Sequence, residues 1–249
     1  MIVNPIKTLR VLPGQKDLEK FLDDNLKALE ENSIIAITSK VVSLCEGRVA
    51  AMDSDKEKLV KSEAELYFPA EHNRYRHHFT IARKTILGSS GIDESNGGGN
   101  FVLLPDDVQE SANRARRHLQ AGHGLKNLGV IITDSTSLPM RLGAVGTCLA
   151  YSGFMPVNDY RHTMDLFGRE FQLEQANIIE GLAAAATLAM GEGAEQTPLC
   201  VISDFPLVHF RDSDPTHEEL DGIYLSLSED LFSSFFNNGE WQKGGRGKL

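Results

Sequence analysis

The stretch LGVIITDSTS, residues 128–137, sets the reading of the whole chain. Its apolar residues, Val130, Ile131 and Ile132 among them, run straight into Asp134, Ser135 and Thr136. A short apolar run rich in β-branched residues reads as a buried strand. Its abrupt end in acid and hydroxyl groups marks the place where the chain leaves the core. Just before it, DDVQESANRARRHLQAGHG (106–124) begins with acids and stops at His-Gly, which predicts a helix. Just after it, AVGTCLAYSG (144–153) reads as a strand of small residues.

The same alternation continues outward. QKDLEKFLDDNLKALEEN (15–32) carries Leu18, Phe21, Leu22, Leu26 and Leu29 at helical spacing, a core-packing face. SIIAITSKVVS (33–43) predicts a buried strand running into a polar turn, and DKEKLVKSEAELYF (55–68) a short charged helix. RHHFTIARKTILG (76–88) and NFVLLP (100–105) read as strands around a glycine loop. LEQANIIEGLAAAATLAMGEG (173–193) is the clearest helix, closed by Gly191 and Gly193, and TPLCVIS (197–203) returns as a strand. Strands alternating with helices predict an α/β or mixed α+β core, in one domain spanning 1–249 or two small subdomains. The tail 211–249 carries no signal beyond an acidic run from Ser213 to Asp221, which reads as a solvated helix start.

The net charge is −10, a field that repels phosphate backbones and disfavours a nucleic-acid partner. Cys45, Cys148 and Cys200 are scattered, with no CxxC pair, which argues for a reducing compartment and against structural zinc. The N-terminus lacks an apolar signal region, and no long apolar run occurs, so a soluble, cytoplasmic protein without a membrane partner is expected. Cys45 reads as a buried small hydrophobe, and His77-His78 as residues sent to opposite faces of a strand.

Polar chemistry collects where apolar elements stop: Asp93 within GSSGIDESNGGGN (88–100), Asp134-Ser135 after the central strand, and Glu192 after the alanine-rich helix. Ligands of open α/β sheets favour the carboxyl ends of strands. Two carboxylates about 4 Å apart repel by about 4 kcal/mol at an effective dielectric near 20, so three of them meeting need a cation. Oxygen ligands suit Mg²⁺ or Mn²⁺ better than Zn²⁺. The glycines would let backbone N–H groups reach a nucleotide phosphate. Neither a P-loop GxxxxGK[ST] nor a GxGxxG is present. Taken singly, an Asp at a strand end is more often a turn former, and a glycine run more often a loop.

Five motifs then occur in order: ITSKVVSLCEGR (37–48), GIDESN (91–96), LGVIITDS (128–135), DLFGRE (165–170) and LAAAATLAMGEGAEQTPL (182–199). Together they resemble the CofE-like γ-glutamyl ligases, the family that adds glutamate to the deazaflavin coenzyme F-420. The resemblance implies a CofE-like fold of mixed sheets and flanking helices, intertwined in two parts and not a Rossmann or P-loop sheet. It implies a homodimer acting on small molecules with GTP or ATP and two divalent ions. Carried over motif by motif, Asp93, Asp134, Ser135 and Glu192 fall on metal-ligand positions, with Asp93 and Asp134 at the centre of catalysis. Ser39, Lys40 and Asn96 fall on nucleotide contacts, as do Met190, Gly191, Gly193, Ala194 and Glu195 in the turn to Thr197 and the segment Thr8 to Val11.

The departures are local. Leu44 stands where deazaflavin ligases carry a nucleotide-contacting lysine, DSTSLPMR (134–141) replaces a motif with a glycine and an aromatic, and Glu192 replaces a glutamine. A kept metal core inside altered surroundings favours another acceptor, a folate-type pterin, with the F-420 precursor as the alternative. Arg141, Arg161 or Arg169 would hold a carboxylate in a bidentate fork. A metal-dependent hydrolase using the same carboxylates, or a nucleotide sensor without turnover, are the other classes the residues allow.

Overall fold

A computed structural model describes residues 1–247; the last two residues of the 211–249 tail lie outside the described residues. The central sheet has the order β1-β12-β2-β8-β9: Ile2–Ile6, Leu199–Ser203, Ser33–Thr38, Leu128–Ser137 and Ala144–Ser152. Only β2 and β8 run parallel; the other pairings are antiparallel. The fold is thus mixed α+β, and its sheet is not a Rossmann sheet.

Alternation along each strand feeds two cores. Ile35, Ile37, Val130 and Ile132 point to one face, where they pack under α1 (Leu18–Asn25), α2 (Ser39–Glu46) and α4 (Val108–His123). Ile34, Ala36, Ile131 and Tyr151 point to the other, covered by α5 (Ile178–Met190) and by Leu220 and Ile223 of α6 (His217–Ile223). The short α3 (Lys56–Glu63) leads into a second sheet, β13-β4-β5-β6, built from Gln242–Lys243, Leu66–Phe68, Phe79–Ala82 and Thr85–Gly88. Two ribbons complete the strands: β3 (Val49–Ala51) with β7 (Asn100–Val102), and β10 (Val157–Asp159) with β11 (Gln175–Asn177). The small sheet meets the large one where the Thr136 hydroxyl donates to the Ile86 carbonyl at 2.9 Å.

Several local expectations change. SKVVS does not continue the strand as a turn; it opens α2, and Val42 is fully buried beneath it. The helix from residue 15 ends at Asn25, whose side-chain amide donates to the Phe21 carbonyl. The strand expected over 76–88 is a hairpin, β5 to β6, and His77 and His78 precede it. His78 is buried with Nδ1 3.0 Å from the Phe68 carbonyl oxygen, while His77 is exposed. The acidic run is only partly solvated: Asp214 approaches the buried Arg116 at 2.8 Å, beside Asp212 just ahead of the run at 3.1 Å, before Thr216 caps α6. Cys45 is buried, which pushes its thiol up to about 12, as befits a small hydrophobe. Among the described residues, no helix is long and apolar enough to cross a membrane.

Candidate functional site

Parallel pairing of β2 with β8 sets Thr38 opposite Thr133, so the next residues, Ser39 and Asp134, emerge side by side. The Ser39 hydroxyl donates to Asp134 Oδ2 at 3.1 Å, and the Ser135 N–H donates to Oδ1 at 2.7 Å. Asp134 is half-buried. Loss of solvent pushes its carboxyl up from 3.8 to about 6; the nearby Asp93 charge adds to this, while Ser135, Ser39 and Lys40 oppose it.

The glycine loop brings Asp93 to the same pole. Asp93 exchanges backbone hydrogen bonds with Val102, and its carboxylate takes the Lys40 ammonium at 2.6 Å and the Ser95 N–H at 2.6 Å. Burial raises this carboxyl, but Lys40 and Ser95 outweigh it and hold the group below its usual value. Lys40 also donates to the Ser95 hydroxyl at 3.1 Å. The loop doubles back at Gly97, where a Cβ would fall 2.4 Å from the Asn100 carbonyl oxygen. That fold-back presents the Asn96 amide to the Gly193 carbonyl at 3.1 Å, and Lys56 on α3 pins Glu94 at 2.5 Å.

The third contribution comes from the end of α5. Glu192 follows Gly191 and accepts the Ser135 hydroxyl at 2.7 and 2.9 Å from its two oxygens. The Glu195 carboxylate folds under the turn to take the Gly193 N–H at 2.8 Å. Thr197 ties back to the Met190 carbonyl, and the Thr38 N–H donates to the Pro198 carbonyl at 3.0 Å. Met190 itself is a core residue, and Ala194 is exposed on the turn.

The site network, drawn from β2–α2, the glycine loop, β8 and α5, is three hydrogen-bonded groups: Ser39, Asp134, Ser135 and Glu192; Lys40, Asp93 and Ser95; and Asn96 with Gly193. The groups are joined where Ser39–Lys40, Ser95–Asn96 and Glu192–Gly193 are neighbours along the chain. They meet as a chain of pairs; among the described residues, no three His, Cys, Asp or Glu side chains are grouped closely enough to cage a metal ion. The donors are all oxygen, the set a hard divalent ion takes. Segment Thr8 to Val11 reaches the network too: the Thr8 N–H donates to the Gln196 carbonyl at 2.8 Å. Leu44 lies one turn beyond Lys40 on α2, is only 4% exposed, and offers its carbonyl to Gly14.

The three arginines do not join this network. Arg161 pairs with Asp159 at 2.5 Å, Arg169 is exposed with its backbone closing a turn at Asp165, and Arg141 is exposed on the loop after β8. Two further residues, Ser95 inside the network and Glu180 outside it, have no place in the sequence reading. Ser95 bridges Asp93 and Lys40, and the Asp-x-Ser spacing of an Asx-turn was its one local signal. Glu180, half-buried at the start of α5, takes the Thr147 hydroxyl at 3.0 Å and the Cys148 N–H at 3.2 Å, so it fastens α5 to β9. Burial pushes its carboxyl up, and nothing in the sequence around it announces that role.

Comparison with known proteins identifies the family. The F420-0:Gamma-glutamyl ligase family profile matches residues 5–204. A coenzyme F420:L-glutamate ligase of Methanopyrus kandleri is 32% identical over 246 residues, covering 90% of this chain and 93% of the relative. One from Methanothermobacter thermautotrophicus is 32% identical over 207 residues, covering 76% and 82%. One from Methanococcus maripaludis is 34% identical over 195 residues, covering 72% and 78%. This chain is therefore a member of the F420-0:γ-glutamyl ligase family, enzymes that form γ-glutamyl bonds.

Proposed function

We propose that the chain is a nucleotide-dependent ligase that uses Mg²⁺ or Mn²⁺ to join L-glutamate to a carboxylate acceptor. The observation that carries this is the meeting of Asp134 with Asp93 beside a single lysine, Lys40. Two acids and one ammonium leave a net negative pole lined by backbone N–H and hydroxyl donors, suited to a cation bound together with phosphate. Asp93, Asp134, Ser135 and Glu192 would hold the divalent ions. When bound, such ions neutralise phosphate oxygens and the charge that develops on the transferred phosphoryl group.

Amide formation between a carboxylate and an ammonium in water is uphill, so the acceptor carboxylate must first be activated. Its oxygen attacks the γ-phosphorus, releasing nucleoside diphosphate and leaving an acyl phosphate. Glutamate's amine then attacks the acyl carbon, phosphate leaves, and the amine loses a proton. The chain's part is positioning and charge. Lys40, shared between Asp93 and Ser95, would balance phosphate charge. Asn96 and the Met190–Thr197 turn, already hydrogen-bonded to each other through Gly193, would close over the nucleotide from two sides.

The relatives are named for coenzyme F420, which favours a deazaflavin acceptor. A folate-type pterin is the second reading, favoured by the apolar Leu44 beside Lys40. A homodimer belongs to the proposal: Leu142, Leu166, Phe167 and Leu173 are 87–100% exposed on two projecting loops, apolar surface that a second copy would cover. The deciding experiment incubates the protein with GTP or ATP, Mn²⁺ or Mg²⁺, glutamate and each acceptor. A product heavier by one glutamyl unit is expected with one acceptor class. Phosphate release without nucleotide would turn the reading to a hydrolase, and nucleotide binding without product to a sensor.

A further inference from the structure

Among the described residues, an aromatic cleft lies outside the network just described. It lies between the small sheet and the C-terminal tail, has a volume of about 260 Å³, and is lined by Phe68, His72, Phe79, Phe235, Phe236 and Trp241. Phe68 meets Trp241 edge-on, centroids 4.9 Å apart at 81°, and Phe79 lies 5.8 Å from Trp241 at 34°. The indole N–H is already satisfied by the Phe236 carbonyl at 2.9 Å, so the indole face is what remains to offer. Phe79 is 40% and Phe235 77% exposed, aromatic faces held open to solvent. Flat heteroaromatic rings recognise such faces by stacking, with little dependence on ring substituents.

Residues 70–78, AEHNRYRHH, border the cleft through His72 and Asn73 and carry Arg74 and Arg76 against Glu71. Arg74 lies 4.6 Å over the ring of Tyr75, which is itself exposed. Among the described residues, neither Arg74 nor Arg76 has a carboxylate partner, Arg74 donating to the Tyr75 hydroxyl, while His72 faces Glu240 at 3.6 Å. The rim also leads to the glycine loop. Phe79 pairs with Gly88, and the Ser89 N–H donates to the His78 carbonyl at 2.8 Å. From Gly88 to Asp93 the chain can span at most about 18 Å at 3.6 Å per residue.

We propose that this cleft is the ring subsite for the acceptor: a planar heteroaromatic ring among Phe79, Phe235 and Trp241, its anionic tail passing Arg74 and Arg76 toward Asp93. The ligand's identity as acceptor rests on the γ-glutamyl ligase reading; the ring site stands on the cleft's own lining and charge. An apolar cleft alone would suit many occupants. Arg74 and Arg76 on the bordering loop favour one with an aromatic body and a negative tail, a description that fits both a deazaflavin and a pterin glutamate.

Trp241 is the chain's single tryptophan, so the cleft reports on itself. The full chain, without nucleotide or metal, is titrated with FMN, with riboflavin as the same ring lacking the phosphate, and with folic acid as the bicyclic arm. Free tryptophanamide corrects for absorption. Saturable quenching is expected, about ten-fold tighter for FMN than for riboflavin at low salt, with the gap closing as salt is added. The tighter of FMN and folic acid indicates the acceptor class. Phe235→Ala should weaken every ligand about ten-fold with an unchanged melting temperature, and Arg74→Ala with Arg76→Ala should erase the gap between FMN and riboflavin. Absence of saturable quenching overturns the ring site. So does a Trp241 shift that follows protein concentration alone and is indifferent to FMN, which would mean a second copy fills the cleft. Turnover separates the two readings. If Phe235→Ala leaves the acceptor KM unchanged, the ring site falls and the ligase stands; if wild type quenches but never ligates, the ligase falls and the ring site stands.

Discussion

Asp134 and Glu63 are both carboxylates drawn into the protein, and their surroundings are opposite. Glu63, 8% exposed at the end of α3, sits among Arg48 at 2.8 Å and Arg83 and Arg246 at 3.1 Å. Burial raises its carboxyl, but three guanidiniums more than reverse the effect. Asp134 has one hydroxyl and one N–H, shares a lone lysine with Asp93, and is pushed up to about 6. The fold can surround a carboxylate with cations when it only needs to keep it. At the pole of β2 and β8 it does not, and the charge there is left for something that arrives from outside.

The largest expected effect separates activity from stability at these two places. Asp134→Asn and Asp93→Asn should each lower turnover by at least about 100-fold. For Asp134→Asn, denaturant unfolding should show no loss of stability, because the substitution removes a charge the fold does not neutralise. Glu63→Ala should do the reverse. It leaves three arginines facing one another and should cost about 3–5 kcal/mol, read by urea unfolding, with the rate per folded molecule unchanged. A Glu63 variant that folds normally but cannot turn over would break the contrast. Arg246→Ala is a smaller version of the same test. Arg48 and Arg83 stay on Glu63, so a loss of about 1 kcal/mol is expected, and Asp106 is left with its charge in water.

Arg246 also shows why the tail is silent in the sequence. Gly244 is pressed so closely on α3 that a Cβ would fall 2.1 Å from the Ala64 carbonyl oxygen, and no local pattern foretells a partner 180 residues away. The long periodic elements were legible: α4, β8 and β9 stand where apolar spacing puts them, and α5 does so from Ile178, the expected first turn over 173–177 ending instead in β11. Short elements were decided by context. Val41 and Val42 favour a strand by themselves, yet α2 wins because its face closes the core over β2. The β5–β6 turn uses Arg83 and Lys84 at φ 52° and 58°, without the Gly or Asn that marks such turns. Side-chain bonds hold it instead: Arg83 donates to the Pro105 carbonyl, and the Lys84 N–H donates to the Glu65 carboxylate. β1 hides its identity behind Pro5, which an edge strand tolerates. The site was legible in a different sense. Residue spacing indicated only that acids follow apolar elements; the resemblance of five motifs said which of them meet.

The subtlest expected effect is a difference in the sign of pH dependence. Asp134 titrates near 6 in the folded chain and near 3.8 when unfolded, so between those values the native state binds the extra proton. Stability from this group must therefore rise as the pH falls from about 6 to about 4. Glu63 is held below its usual 4.5, so its ion pairs contribute fully above that value and are lost as the pH falls through its folded one. Asp24, Asp159 and Glu219, each lowered to about 2, act in the same acidic range as Glu63 and with the same sign. Urea unfolding at steps from pH 7 to pH 3 should thus give a shallow maximum for the wild type, with different carboxylates responsible for each flank. Subtracting the Asp134→Asn curve isolates the upper flank free of those other groups, because they remain in both proteins. If that difference curve is flat between pH 6 and pH 4, Asp134 is solvated like any surface acid, and its contrast with Glu63 disappears.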